Sequence, residues 1–464
     1  MFRRVLVANR GEIALRIVRT CAEMDVCTVA VHSTVDADRL SVQYADQAIC
    51  IGNAPAAESY LNMGAIVSAA LCMECDAVHP GFGFLSENAD FAQMCKDAGL
   101  TFIGPSPCVI RTLGEKAAAR ALVAECGVPV VPGSRGVVHD ADAAYRAAEQ
   151  VGYPVLIKAS AGGGGRGMRR ADHAEGLAAA FDAARSEALA CFGDDAVYVE
   201  KLIENPRHIE IQILADSFGH VVHLGERECS IQRNNQKLVE ESPSPALDGS
   251  MRSAMGDAAV RIAQAAGYSG AGTVEFVVSG SNFYFIEMNA RIQVEHPVTE
   301  MRCGLDLVRE QLRIAAGLPL RFEQDDIVLK GHAIECRIIA EDPRNNFHPS
   351  PGHVGFLHFP GGNGVRVDSD LYAGSSVSPF YDSMIAKVIV CAPTRLEAVR
   401  KMRRALEETV VEGISTNLDL ALLIMFNGDF LKGSYHTGFI GQNLGRLLDF
   451  DDVVRKLDSE EAAR

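Results

Sequence analysis

The first hundred residues alternate between short apolar runs and stretches whose apolar positions recur every three or four residues. Residues 4–8 read as a strand buried on both faces, and residues 12–24 carry a helical period. Further strands are expected at 26–31, 76–79 and 101–103, the last preceded by a helix over 86–98. Strands and helices in that order predict βαβ units and an open parallel sheet. Beyond Gly114 the pattern renews, with helices at 116–126 and 141–151 and a strand at 154–158. Then the period drops to two. Over 208–213, His208, Glu210 and Gln212 fall on one strand face and three isoleucines on the other. Residues 273–278 and 283–286 flank a hairpin loop, and if that loop is the three residues 280–282, Glu275 stands opposite Glu287.

Candidate chemistry sits where these elements end. Facing carboxylates repel unless one is protonated or a cation lies between them. Mg²⁺ takes one or two carboxylates plus substrate phosphates, which suits Glu275 and Glu287; a solvated charged hairpin is the alternative. The turn that follows, Glu287-Met-Asn-Ala-Arg-Ile-Gln-Val-Glu-His296, gathers carboxylates, an amide, a guanidinium and an imidazole. Strand 154–158 ends on Lys158 and enters Ala159-Ser-Ala-Gly-Gly-Gly-Gly-Arg-Gly-Met168. Consecutive glycines leave backbone N–H groups free to face a phosphate and let the loop open and close. No Gly-Lys-Ser/Thr ends it, so it is not a Walker loop. Lys116 and Lys158 are candidate phosphate ligands, and residues 197–203 could pass an adenine edge with Glu200 beside it. His79-Pro-Gly-Phe-Gly-Phe-Leu-Ser-Glu87 ends a strand in a turn of the kind that lines ligand crevices; Phe82 and Phe84 could equally be packing residues, and Phe84 reads as one. A nicotinamide cofactor is rejected, because the first turn holds one glycine where the fingerprint needs three.

Composition narrows the class. At 464 residues the chain suggests two to three domains, and 44 basic against 60 acidic residues give a net charge of −16. A nucleic-acid backbone is therefore not an expected partner. No run approaches the ~18 apolar residues of a membrane span, and no signal peptide is visible. The thirteen cysteines lack a disulfide rhythm. Cys72-Met-Glu-Cys75 has no second pair at zinc spacing and reads as a helix-to-strand junction. A reduced, cytoplasmic protein is expected.

Together, Lys116, Lys158 with its glycine run, His208-Ile-Glu-Ile-Gln212, Lys237-Leu-Val-Glu-Glu241 and Glu287 to Thr299 resemble biotin carboxylase, of the ATP-grasp superfamily. Val7-Ala-Asn-Arg-Gly-Glu-Ile-Ala14, the His79–Asn88 stretch and Glu335-Cys-Arg-Ile-Ile-Ala-Glu-Asp342 match as well, so the likeness runs from residue 2 to about 446. The resemblance implies an α/β protein: a Rossmann-like domain at 1–113, an ATP-grasp domain at 114–330 with a mobile glycine-rich lid at about 132–204, a mixed α+β domain at 331–446, and a polar tail at 447–464. It implies that Lys116, Lys158, Gly163, Gly164, Gly165, Met168 and His208 meet ATP, with Glu200 and Ile203 at the adenine and Gln232 and Asn235 nearby. Glu275, Glu287 and Asn289 would hold Mg²⁺ or Mn²⁺. Lys237, Arg291, Gln293, the Val294 backbone and Glu295 would surround bicarbonate, with Glu295 as base. Phe82, Gly83 and Arg337 would meet biotin. Lys237, Arg291, Glu295 and Arg337 are the catalytic set.

Two positions depart from the family: Phe82 where many members carry Tyr, and Asn235 where His is frequent. Altered affinity rather than lost activity is expected of both. With no Met-Lys-Met-type attachment turn in the chain, biotin is expected on a separate biotin carboxyl carrier protein, with carboxyltransferase subunits as further partners. Acetyl-CoA carboxylase is the first expectation for the parent system. A two-subunit pyruvate or other acyl-CoA carboxylase is the second, and a nucleotide-binding regulatory subunit without turnover is the reading from another class. A homodimer is implied, with Arg19, Glu23 and Arg366 at matching interface positions.

Overall fold

In the computed structural model, which describes residues 1–134, 136–160 and 167–462, the opening rhythm becomes a parallel sheet. Its strands are β1 (Arg4–Val7), β2 (Cys27–Ser33), β3 (Gln47–Gly52), β4 (Ala77–His79) and β5 (Thr101–Phe102), in the order β3-β2-β1-β4-β5. Val5 and Val7 feed one core while Leu6 feeds another, so β1 is buried on both faces as a parallel strand must be. The helix expected from residue 86 begins at Ala89, because the Asn88 side chain accepts from the Phe91 N–H at 2.8 Å and caps it there. Strand order reverses at β1, and the crevice at that switch point faces the ligand side. There Asn9 Nδ2 donates to the carbonyls of Pro80 (2.6 Å) and Phe82 (2.8 Å), tying the 80–87 turn to β1. Gly81 is required at this approach, since its φ is +63° and a Cβ would lie 3.0 Å from Asn9 Nδ2.

Residues 132–204, expected as the lid, build a small unit of their own. β6 (Val155–Ala159), β7 (Met168–Ala171) and β8 (Val197–Lys201) pair antiparallel in the order β7-β6-β8. The helices Ala141–Val151 and Ala174–Phe192 cover them over a core that includes Ile157, Leu177, Phe181 and Val199. Gly163, Gly164 and Gly165 lie outside the described residues.

The rest hangs on one eight-stranded sheet. Its strands run β13 (Asn282–Asn289), β12 (Gly270–Ser279), β9 (Arg207–Ala215), β10 (Val221–Arg233), β11 (Gln236–Ser242), β14 (His332–Ile339), then Met384–Ala392 and Val365–Asp368. The pairing of β11 with β14, Glu240 opposite Glu335, carries the sheet across the expected 330/331 boundary without a break. Ile209, Ile211 and Ile213 pack under the helix Gly249–Ala265, as the alternation predicted, and leave Glu210 and Gln212 on the other face. That polar face is the floor of the site. Helix Arg395–Glu408 closes a second core on the far half of the sheet. The last helix, Phe439–Ala462, takes in most of the expected polar tail.

Candidate active site

A cavity of about 830 Å³ opens between the β1 switch point, the 132–204 unit and the polar sheet face, and every described candidate residue lines it. The β12–β13 hairpin carries the carboxylate pair. Glu275 does stand opposite Glu287, but by another route than expected. The loop has two residues, Gly280 and Ser281, and Ile286 is an extra residue in β13 that restores the pairing.

Glu287 opens into the cavity, whereas Glu275 is buried with its charge compensated. Its Oε1 accepts from Lys237 (3.1 Å), Asn289 (3.1 Å) and Gln293 (2.7 Å), and His208 Nε2 is 2.9 Å from its Oε2. Burial works against the Glu275 charge, but Lys237 and His208 outweigh it and hold its pKa below the ordinary carboxylate value. Glu287 is pushed the other way, by its enclosed position and then by Glu275. A carboxylate destabilised by its neighbour and open to the cavity is a fitting seat for a divalent cation. Asn289 stands beside the pair, with its Oδ1 accepting from Arg291 Nη2 at 2.7 Å. A second grouping, His208, Glu210 and Glu275, brings ligand atoms within 4.8 Å, but Lys237 and Arg227 already neutralise it.

Lys237 is the centre of the deep end. Its Nζ lies 2.6 Å from Glu210 Oε2 and 2.5 Å from Glu295 Oε1. The other Glu295 oxygen accepts from Arg337 Nη2 at 2.7 Å, and Arg337 Nε donates to Glu240 at 2.6 Å. Although burial opposes the Glu295 charge, Lys237, Arg337 and Arg227 drive its pKa well below the usual range. Arg291 is held from the β4 turn, since Glu87 accepts both its Nε (2.7 Å) and the Ala290 N–H (3.0 Å). The Val294 carbonyl accepts from Lys387 Nζ at 2.8 Å, which fixes the loop bearing Gln293 and Glu295.

At the opposite end Lys116 loses basicity to burial, with Glu287 pulling the other way. The Glu200 carboxylate is already occupied, by Lys158 at 2.6 Å and by Arg120. Asn234 and Asn235 form a two-residue turn between β10 and β11 with φ of 49° and 63°. Both are left-handed, a conformation that Asn tolerates, and this turn presents Gln232 and Asn235 to the cavity. Met168 and Ile203 line the same end from the 132–204 unit. At the mouth Phe82, Gly83 and Phe84 line the space, and Phe84 also stacks on Tyr60 with ring centroids 5.1 Å apart.

Three residues that shape the site went unread in the sequence. Arg227 sits in a charged stretch that resembles solvated surface, Glu87 in the polar turn after β4 and Lys387 inside the apolar strand Met384–Ala392, yet Arg227 and Lys387 are fully buried. The cysteines are all free, and Cys72 and Cys75 close a helix and precede β4. Among the described residues no helix is long and apolar enough to cross a membrane.

Comparison with known proteins matches most of the chain. Residues 1–110 fit the model for the biotin carboxylase N-terminal domain, and 335–442 that for its C-terminal domain. Between them, 115–323 fit the ATP-binding domain of the carbamoyl-phosphate synthase L chain. A Nostoc biotin carboxylase is 54% identical over 440 residues, 95% of this chain and 98% of that protein. The biotin carboxylase domain dimer of Hydrogenobacter thermophilus 2-oxoglutarate carboxylase, solved with MgADP, ADP and bicarbonate, superposes with a TM-score of 0.91. It is 48% identical and covers 96% of this chain and 98% of its own. The biotin carboxylase subunit of a pyruvate carboxylase gives a TM-score of 0.84 at 48% identity, covering 96% and 99%.

Proposed function

This chain belongs to the biotin carboxylase family of ATP-grasp enzymes, and from that premise we propose that it carboxylates the biotin of a separate carrier protein with ATP and bicarbonate. The observation that carries the reading is Glu295 held between two cations, Lys237 on one oxygen and Arg337 on the other. Bicarbonate is a weak nucleophile. Glu295 takes its proton while Lys237, Arg291, Gln293 and the Val294 backbone hold the anion. The entering anion shares the cations that suppress the basicity of Glu295 and adds a like charge beside it, so the base strengthens when it is needed.

The bicarbonate oxygen attacks the γ-phosphorus of ATP and ADP leaves, giving carboxyphosphate. Lys116, Lys158 and His208 hold the phosphates; Gly163, Gly164, Gly165 and Met168 belong to the covering loop; Glu200 and Ile203 flank the base, with Gln232 and Asn235 at the sheet side. Glu275 and Glu287, with Asn289, would hold Mg²⁺ or Mn²⁺, which neutralises phosphate charge. Carboxyphosphate breaks down to CO₂ and phosphate, and that phosphate deprotonates the biotin ureido nitrogen. Arg337 then donates to the ureido oxygen as negative charge develops there, and the nitrogen attacks CO₂. Closure of residues 132–204 keeps water from the carboxyphosphate, and Phe82 and Gly83 border the biotin ring.

We further propose a cytoplasmic homodimer that works with a carboxyltransferase, with acetyl-CoA carboxylase as the parent system. Likeness to domains of 2-oxoglutarate and pyruvate carboxylases favours a second reading in which the acceptor is a 2-oxo acid. The test is incorporation of labelled bicarbonate into acid-labile carboxybiotin on added carrier, followed by transfer to acetyl-CoA or pyruvate. ATP binding with no labelled carrier would leave only a regulatory nucleotide-binding subunit.

A further inference from the structure

Arg227 lies in the middle of β10, fully buried, and all five of its N–H groups are engaged. Nε donates to Glu210 Oε1 at 2.6 Å. Nη1 donates to Gln212 Oε1 (2.5 Å) and Thr299 Oγ1 (3.1 Å), and Nη2 to Thr273 Oγ1 (3.0 Å) and Gln293 Oε1 (2.6 Å). A guanidinium donates only. An amide facing it must therefore present its oxygen, and that fixes which way Gln293 points. Its NH₂ is turned away, towards Glu275 Oε1 at 2.7 Å and the cavity. The same guanidinium anchors one oxygen of Glu210, whose other oxygen holds Lys237 Nζ at 2.6 Å. Two groups that an anion would meet, the Gln293 amide and the Lys237 ammonium, thus take their orientation from one buried side chain that does not line the cavity.

We propose that Arg227 is a positioning residue for bicarbonate: it holds Gln293 with its N–H donors towards the anion and, through Glu210, sets Lys237 beside them. This rests on the biotin carboxylase reading. An unfixed amide could turn its oxygen to the anion, and a loosened Glu210 would let Lys237 settle wholly onto Glu275 and Glu295. Through Glu275 the network reaches the metal seat, but it touches none of Lys116, Lys158, Glu200 or Ile203, so binding of ADP without metal is not served by it.

Arg227→Lys keeps the charge but cannot bridge five acceptors. Bicarbonate-dependent ATP cleavage should show a bicarbonate KM raised about 10–100-fold, with the Kd of ADP measured without metal within about twofold of wild type. In a Gln293→Ala background the same substitution should add less than it does in the wild type, because one of the two groups it orients is gone. An unchanged bicarbonate KM, a fully additive double variant, or an equal rise in the Kd of metal-free ADP would overturn the proposal, the last marking a merely structural role. Should Arg227→Lys not fold, Thr273→Val removes one partner of the same Nη2 and should raise the bicarbonate KM about threefold; no rise would overturn it. If the wild-type protein cleaves ATP without bicarbonate, the carboxylase reading itself fails. Arg227 is then judged by a crystal structure of R227K, where an unmoved Gln293 amide counts against it.

Discussion

Arg337→Ala separates the two half-reactions, and the geometry gives the size of each effect. The side chain bridges Glu240 at 2.6 Å and Glu295 at 2.7 Å. Breaking a buried pair costs about 3–5 kcal/mol, because a charge is left without its partner. Here two carboxylates are left, but burial already raises the pKa of Glu240, and it can take up a proton once the cation is gone. Glu295 keeps Lys237 at 2.5 Å and starts well below the ordinary carboxylate range. It stays ionised at neutral pH. Bicarbonate-dependent ATP cleavage near pH 8 should therefore remain within about tenfold of wild type, while transfer to biotin falls about 10²–10³-fold with the loss of an oxyanion donor. Removing a cation makes Glu295 harder to ionise, so the acid limb of ATP cleavage should move to higher pH. The assay is phosphate release and carboxybiotin formation measured side by side from pH 5 to 9. Equal losses in both at pH 8, or an acid limb that stays in place, would refute the reasoning.

Glu287→Gln should lower Mg²⁺-dependent turnover by at least about 10²-fold. Because the folded protein raises the pKa of Glu287, its charge opposes folding at neutral pH, so the metal-free variant should melt no lower than wild type in calorimetry. Glu241 is the opposite case. Burial opposes its charge, but hydrogen bonds from His332 (2.5 Å) and Arg395 (2.7 and 2.9 Å) bring its pKa down to about 2 from 4.5. Its stabilisation is complete above the unfolded value and is lost as pH falls through the folded one. Glu241→Gln should thus cost about 3–5 kcal/mol in urea unfolding at pH 7, with the difference from wild type closing between about pH 4.5 and 2. Arg366 pairs with Glu300 (2.7 Å) and Asp368 (2.8 Å) within its own chain, and Arg309 lies 3.3 Å from Glu23. Light scattering at micromolar concentration should return a dimer for wild type and a shift towards monomer for Arg366→Glu; monomer mass for wild type would count against the interface.

Elements whose buried and exposed faces differ in polarity were legible in the sequence. The 208–213 alternation sorted isoleucines from Glu210 and Gln212 because one face meets an apolar core and the other the buried charges of Arg227 and Lys237. The Glu275–Glu287 pairing was legible, but its cause was not: the two-residue turn alone would have offset the pair, and the bulge at Ile286 compensates. Strands β10 and β11 were read only as a polar run. Arg227 faces Glu210 from β10, while Glu226 and Glu228 pair with Arg252 and Arg207, so β10 is polar on both sides and buried on both. Hydropathy treats such charges as solvated. The available signal was the near balance of acids and bases within 226–237, which permits mutual neutralisation away from water. Glu87 and Lys387 escaped for another reason. Each acts on a residue far along the chain, Arg291 and Val294, and no local spacing reveals that.

The central claim is that a bicarbonate oxygen attacks the γ-phosphate of ATP, and oxygen isotopes test it most directly. With ¹⁸O-labelled bicarbonate and MgATP, the attacking oxygen remains on phosphorus when carboxyphosphate loses CO₂. Mass spectrometry of the released phosphate should find one ¹⁸O per phosphate during early turnover, and carboxybiotin should form in step when biotin is present. Phosphate carrying no ¹⁸O, released at the same rate without bicarbonate, would contradict the account.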